Sequence, residues 1–233
     1  LAEAEGFKKH YYADGKPQWK WNCRFGIKEG EATQYYPSGL LQLKYRYRNG
    51  QLNGPLNIYR ANGRLWKREY WKQDVRDSIW AWYDTSEVLI RESRFHNGTG
   101  TAFGFCPSGD ARLTCAESTF VKNRLDGKLY YYKEKSDLRF EEVWKDGVIK
   151  ESRSFYPDSL GGGLASEGFW KEGKRNGLWR NWYASGILMD SLHFLNGERY
   201  GHQLSYDSTG KLYMHKELFG KNKPVIMHLL NDD

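Results

Sequence analysis

Apolar and polar residues alternate one for one through Leu41–Arg48. Leu41, Leu43, Tyr45 and Tyr47 stand against Gln42, Lys44, Arg46 and Arg48. A period of two puts one set on each face of a β-strand. Similar runs recur between turn signals along almost the whole chain. The main turn positions are Gly26, Gly50, Asp74, Gly98, Asn123, Gly147, Gly173, Gly197 and Lys221, at steps of 24, 24, 24, 25, 24, 26, 24 and 24 residues. A second series falls between them at Gly15, Gly39, Gly63, Glu87, Gly109, Gly186 and Gly210. A period this short, held over the chain, predicts a row of small similar units, each stacking on its neighbours.

Other positions keep the same phase. A large apolar residue precedes each main turn by three: Tyr47, Trp71, Phe95, Phe120, Trp144, Trp170, Phe194 and Leu218, with Cys23 in the first unit. Four residues after the turn comes a small one: Gly30, Gly54, Ser78, Ala102, Gly127, Gly177 and Gly201. A tyrosine precedes the second turn at Tyr12, Tyr36, Tyr59, Tyr83, Tyr183 and Tyr206, with Cys106 standing in once, and leucine follows it at Leu41, Leu65, Leu89, Leu188 and Leu212. Each unit therefore reads as a β-hairpin whose strands are rich in residues that suit a pleated surface. Asn49-Gly50, Asn196-Gly197 and Ser185-Gly186 supply the positive φ that tight hairpin turns demand. The 25 glycines would interrupt any long helical pattern.

The run Gly168-Phe169-Trp170-Lys171-Glu172-Gly173-Lys174-Arg175-Asn176-Gly177-Leu178-Trp179 resembles a MORN repeat. So do Tyr45 to Tyr59 and Phe194 to Tyr206. The Tyr-x-x-x-Gly-x-Leu segments at Tyr59–Leu65 and Tyr206–Leu212 are most similar to the bacterial variant labelled YwqK-like. The likeness spans roughly residues 11 to 223. It implies a repeat scaffold and, through the label, an antitoxin-like role. The departures lie mid-chain: Glu87 replaces a turn glycine, Asp137 sits in a stretched unit, and Tyr156 to Gly163 carries an insertion.

These patterns predict an all-β fold: an elongated antiparallel meander of about nine repeated hairpins. Residues 1–10 read as an N-terminal extension, 11–223 as the repeat domain, and 224–233 as a terminal cap or tail. Val225 to Leu230 is apolar and suits a capping strand or short helix.

Composition sharpens this picture. Hydrophobic residues make up 39% and aromatics 16%, which suits a thin sheet faced with rings more than a deep aliphatic core. The formal charge is +7, with lysine and arginine spread over all units among aspartate and glutamate. That pattern reads as a solvated basic face. It also suits an acidic partner surface, and at most peripheral contact with a membrane. No nucleic-acid-binding signature accompanies it, so nucleic acid is not the expected partner. No apolar run approaches the ~20 residues that a membrane-crossing helix needs. The chain starts at Leu1 rather than Met, which favours a processed, cell-envelope or secreted form.

Candidate chemistry is sparse. Cys23 and Cys106 stand where other units place an aromatic and read as small core residues; the spacing of Cys106 and Cys115 argues against a disulfide between them. His202 and His215 face each other across the second turn of the last full unit, but two ligands rarely make a metal site, so neither metal nor cofactor is expected. Glu141 and Glu142 are adjacent on a strand and point to opposite faces, so they do not converge on a substrate. No triad, phosphate loop or metal motif appears, and the expected class is not an enzyme. The expected function is a protein-binding scaffold, an accessory subunit of a larger bacterial assembly, with an immunity-like inhibitor of one toxin as the alternative. A surface-groove enzyme and an acidic-lipid binder rank below both. Trp19, Trp21, Trp66, Trp80, Trp82, Trp179 and Trp182 are the candidate anchors, because buried tryptophans dominate interface energetics.

Overall fold

The computed structural model describes residues 5–105, 114–133, 137–219 and 226–229. The chain folds into antiparallel strands in sequence order, an all-β meander. The first sheet comprises β1 (Glu5–Tyr11), β2 (Pro17–Arg24), β3 (Ile27–Tyr35), β4 (Leu41–Arg48), the short β5 (Gln51–Leu52), β6 (Gly54–Tyr59), β7 (Leu65–Lys72), β8 (Val75–Tyr83) and β9 (Leu89–Phe95). The second comprises β10 (Gly100–Phe105), β11 (Thr114–Val121), β12 (Arg124–Tyr132), β13 (Leu138–Lys145), β14 (Val148–Phe155), β15 (Leu164–Lys171), β16 (Lys174–Trp182), β17 (Leu188–Leu195), β18 (Glu198–Tyr206), β19 (Leu212–Leu218) and β20 (Ile226–Leu229). Two compact units result. The first holds residues 1–102 and 120–124, and the second begins in β10 and runs through the C-terminal hairpins. The apolar C-terminal stretch forms a strand, β20, paired with β19.

The turns take the form their residues dictate. At each main turn from Gly26 to Gly197, two consecutive residues have positive φ, as at Asn49 (+50°) and Gly50 (+81°). Positive φ at both central residues is the type I′ geometry, whose twist matches that of the flanking strands. Lys221 lies outside the described residues. The second series closes differently: Tyr36 N–H donates to Leu40 O at 2.8 Å and Gly39 N–H to Tyr36 O at 2.8 Å. That is a three-residue loop ending in a left-handed residue. Glu87 adopts the same left-handed conformation, φ +63°, without being glycine. The insertion at Tyr156–Gly163 folds into a single 3₁₀ turn, Asp158–Leu160, closed by Tyr156 N–H to Gly163 O at 2.8 Å.

The small residue after each main turn has a purpose beyond the turn. Gly30, Gly54, Ser78, Gly127, Gly177 and Gly201 all have positive φ. The strand register slips beside four of them, for example between Trp21 and Cys23 opposite Gly30. These positions are β-bulges, and the repeated Gly-x-x-x-Gly encodes a turn followed by a bulge.

Neighbouring units are joined by hydrogen bonds in the same phase. The turn amides of Gly50, Asp74, Gly98, Gly147 and Gly197 donate to the carbonyls of Lys28, Leu52, Arg76, Leu125 and Arg175, at 2.7–3.0 Å. At the opposite ends of the hairpins the Tyr12, Tyr36, Tyr156 and Tyr183 hydroxyls donate to the carbonyls of Tyr35, Tyr59, Trp182 and Tyr206. The recurrent tyrosines thus divide into two classes. Tyr12, Tyr36 and Tyr183 donate across the repeat, whereas Tyr59 and Tyr206 offer a main-chain acceptor; Arg60 replaces the donor once, bonding Tyr83 O at 3.0 Å.

Each unit has its own aromatic core. Trp80, Trp82 and Phe95 are buried in the first, and Leu129, Trp179 and Phe194 in the second. Phe95 and Phe194 are the buried pre-turn aromatics; Tyr47, Trp71, Trp144 and Trp170 at the same position are half-buried. Trp80 packs on Phe95 (4.6 Å between centroids), and Trp179 meets Trp170 edge-on at 5.4 Å.

Candidate interaction surface

The N-terminal end of the first sheet carries an aromatic array that is partly open to solvent. The sequence of β2 alternates so that Trp19, Trp21 and Cys23 share one face, while Lys20 and Asn22 take the other. Register puts His10 of β1 directly opposite Trp19. The rings stack: His10 on Trp19 at 5.1 Å and 10°, and Trp19 on Trp21 at 3.9 Å and 12°. Lys28 continues the column, its ammonium 4.7 Å from the Trp21 ring and 4.9 Å from that of Tyr47. Tyr45 meets Tyr47 edge-on at 5.5 Å. Burial, reinforced by Tyr47, raises the pKa of Tyr45. His10 is exposed and Trp19, Trp21 and Tyr47 are half-buried, so the column offers ring surface and one cation to a partner. Beside it, β1 is the outermost strand of its sheet among the described residues and exposes Phe7 and Tyr11.

The seven tryptophans singled out by sequence do not form one surface. Trp19 and Trp21 stand together. Trp80 and Trp82, at 3% and 1% exposure, and Trp179, at 6%, are core residues. Trp66 is half-buried at the bulge where β7 begins, beneath the Arg60 guanidinium at 5.6 Å. Trp182 is half-buried in β16 of the second unit, where its carbonyl receives Tyr156.

Two charged arrays escaped the sequence reading. In the first unit Lys67 and Glu69 pair at 2.6 Å with little exposure; the Lys67 ammonium lies 4.4 Å from the Trp80 ring, and Trp71 Nε1 donates to Glu69 at 2.9 Å. Arg76 covers Phe120 at 4.1 Å in the same core, and loss of water lowers its pKa. The signal was available, since Lys67 and Glu69 share strand phase with Trp71. In the second unit Glu141, Arg153, Glu167 and Arg180 stand directly opposite one another on successive strands. Lys128 adds a 2.8 Å contact to the buried Glu141. Part of the scattered charge is thus an ordered cross-strand ladder. Glu142 points away from Glu141 and accepts Trp144 Nε1 at 2.9 Å, so the paired carboxylates do diverge.

Cys115 is disulfide-bonded, which corrects the expectation drawn from the cysteine spacing. The spacing excludes only direct opposition across a regular turn. Cys106 lies outside the described residues, and Cys23 is free. His202 and His215 do meet, with Nδ1 of one 2.9 Å from Nε2 of the other.

Residues 28–49 match the family described as MORN repeat variant. This segment runs from the start of the third strand through the next main turn and includes Lys28, Tyr45 and Tyr47. No curated protein sequence matches the chain. Among solved structures, a chain of the TcdB2-TccC3-Cdc42 crystal structure aligns over 100% of this chain and 16% of its own length, at 12% identity and a TM-score of 0.22. A chain of the TcdB2-TccC3 crystal structure aligns over 99% of this chain and 15% of its own, again at 12% identity and 0.22. The chain thus spans about one sixth of the length of these structures, and at such scores the likeness carries no argument about fold or function.

Proposed function

We propose that this MORN-repeat chain is a non-enzymatic scaffold that binds a protein partner within a multi-subunit assembly. The observation that supports it is the His10–Trp19–Trp21 stack, half-open to solvent beside β1, the outermost strand of the first sheet among the described residues. Flat rings fixed against one another lose little entropy on binding, and tryptophan and tyrosine supply most hot-spot energy when a partner covers them. Lys28 over Trp21 and Tyr47 favours a partner with acidic groups near its apolar contact. An extended partner segment can add to a strand that is outermost in its sheet, as β1 is among the described residues.

Co-purification from the native source tests this reading. Wild-type chain should carry a defined protein, and Trp19→Ala/Trp21→Ala should lose it while keeping the β-sheet circular-dichroism spectrum. Retention of the same protein by the double variant, or turnover of a small molecule by the pure chain, would sink it.

The repeats are also proposed to be of the bacterial YwqK-like form, on the strength of the Tyr-x-x-x-Gly-x-Leu segments. An immunity-like role is the second function compatible with that likeness. Its mark would be a single toxic enzyme, encoded beside this chain, as the co-purifying protein.

A further inference from the structure

Four of the six histidines, His193, His202, His215 and His228, fall on the last four strands. Their registers are specific. His202 is opposite Glu217, and His215 is opposite Leu204 on one side and His228 on the other. Side chains two apart on a strand share a face, so His202, His215 and Glu217 project together from β18 and β19. His202 Nδ1 lies 2.9 Å from His215 Nε2 and 3.3 Å from Glu217 Oε1, and His215 Nε2 lies 3.9 Å from the same oxygen. His193 Nδ1 reaches only the main-chain carbonyl of His202, at 3.2 Å.

This triangle has the dimensions of a ligand set. Donors held about 2.0–2.1 Å from a tetrahedral ion sit roughly 3.3 Å from one another. The three separations here bracket that value. A carboxylate oxygen accepts only, and a ring nitrogen carries one lone pair or one proton. A proton therefore serves one pair of these atoms at a time, whereas a divalent cation serves all three. Imidazole with carboxylate suits zinc and its neighbours copper and nickel, and disfavours magnesium or calcium, which take oxygen.

We infer that His202, His215 and Glu217 form a zinc-class metal site that ties β18 to β19. The site lies in the second unit and stands independently of the partner-binding reading, which rests on residues of the first. Its role is structural: it cross-links β18 and β19, adding a tie to their main-chain pairing.

Tag-free protein, stripped with a chelator and titrated with zinc chloride in a calorimeter, tests the site. One equivalent should bind saturably, and cobalt(II) in its place should give the visible absorption of a tetrahedral nitrogen–oxygen site. His202→Ala and His215→Ala should each weaken zinc binding at least about tenfold, and Glu217→Gln should weaken it measurably. Zinc should raise the melting temperature of the wild type and leave that of His202→Ala/His215→Ala unmoved. If the double variant fails to fold, His202→Asn, at an exposed ring, carries the same expectation. Absence of saturable one-to-one binding, or undiminished binding in the histidine variants, overturns the site.

Discussion

Gly168 and Trp179 face each other across β15 and β16 in the core of the second unit. A Cβ built on Gly168 would lie inside the Trp179 indole, whose Cδ2 and Cε2 are its nearest neighbours. The backbone of Gly168 is not left-handed, so alanine is excluded by this ring alone. Trp179 has nowhere to retreat: it donates Nε1 to Phe169 O at 3.1 Å, meets Trp170 and Phe194 edge-on and lies 4.4 Å from the Arg175 guanidinium. Gly168→Ala should therefore cost at least the ~1–3 kcal/mol of overpacking. Expulsion of the ring would raise this toward the ~3–5 kcal/mol expected for Trp179→Ala. The decisive measurement is the double-mutant cycle by urea denaturation, read as midpoint shifts at constant slope. Once Trp179 is alanine the clash is gone, and Gly168→Ala should become neutral or stabilise by about 0.4–1 kcal/mol through the unfolded chain. Equal destabilisation by Gly168→Ala in both backgrounds would refute the ring-on-glycine account.

Tyr183→Phe removes a hydroxyl that crosses the repeat to Tyr206 O at 3.0 Å and should cost about 0.5–1.5 kcal/mol in the same melts. The exposed Tyr213→Phe, measured alongside, should cost nothing. Glu69→Gln strands the Lys67 ammonium in the first core; its cost should be about 3 kcal/mol, the low end for a broken buried pair, because the Trp80 and Trp82 rings still face the charge. The Asp207 carboxyl is held below its ordinary pKa by the Thr209 hydroxyl and then by the Lys211 amide. Its contribution to stability is therefore complete above the ordinary carboxylate range and is lost as pH falls through the lowered value. An NMR titration should show that depressed midpoint, restored toward the ordinary value in Thr209→Ala.

The hairpin array was legible because its grammar is local. Asn49-Gly50 or Asn196-Gly197 between alternating strands specifies a type I′ turn whatever surrounds it. The fate of individual tryptophans was not legible, because it depends on what packs over them. Trp19 precedes a main turn and Trp82 follows one, yet both lie in phase with the pre-turn residues, and only what packs over them leaves one half-open and the other sealed. The two tyrosine classes differ by one residue in phase, a difference hidden when they are counted together. The ladder from Glu141 to Arg180 was invisible for another reason: its members are 12 to 14 residues apart, and only exact strand register brings them opposite. His202 and His215 were within reach of sequence reasoning, since one turn joins them, but Glu217 needed the same register.

The central claim is that the His10–Trp19–Trp21 column is a protein-docking surface. The most direct measurement places a photo-crosslinking phenylalanine analogue at Trp19 in the native cell, with the same analogue at the exposed Tyr213 of the second unit as control. The account predicts a single defined protein crosslinked from position 19 and not from position 213. No crosslinked protein at position 19, or the same set from both positions, would contradict it.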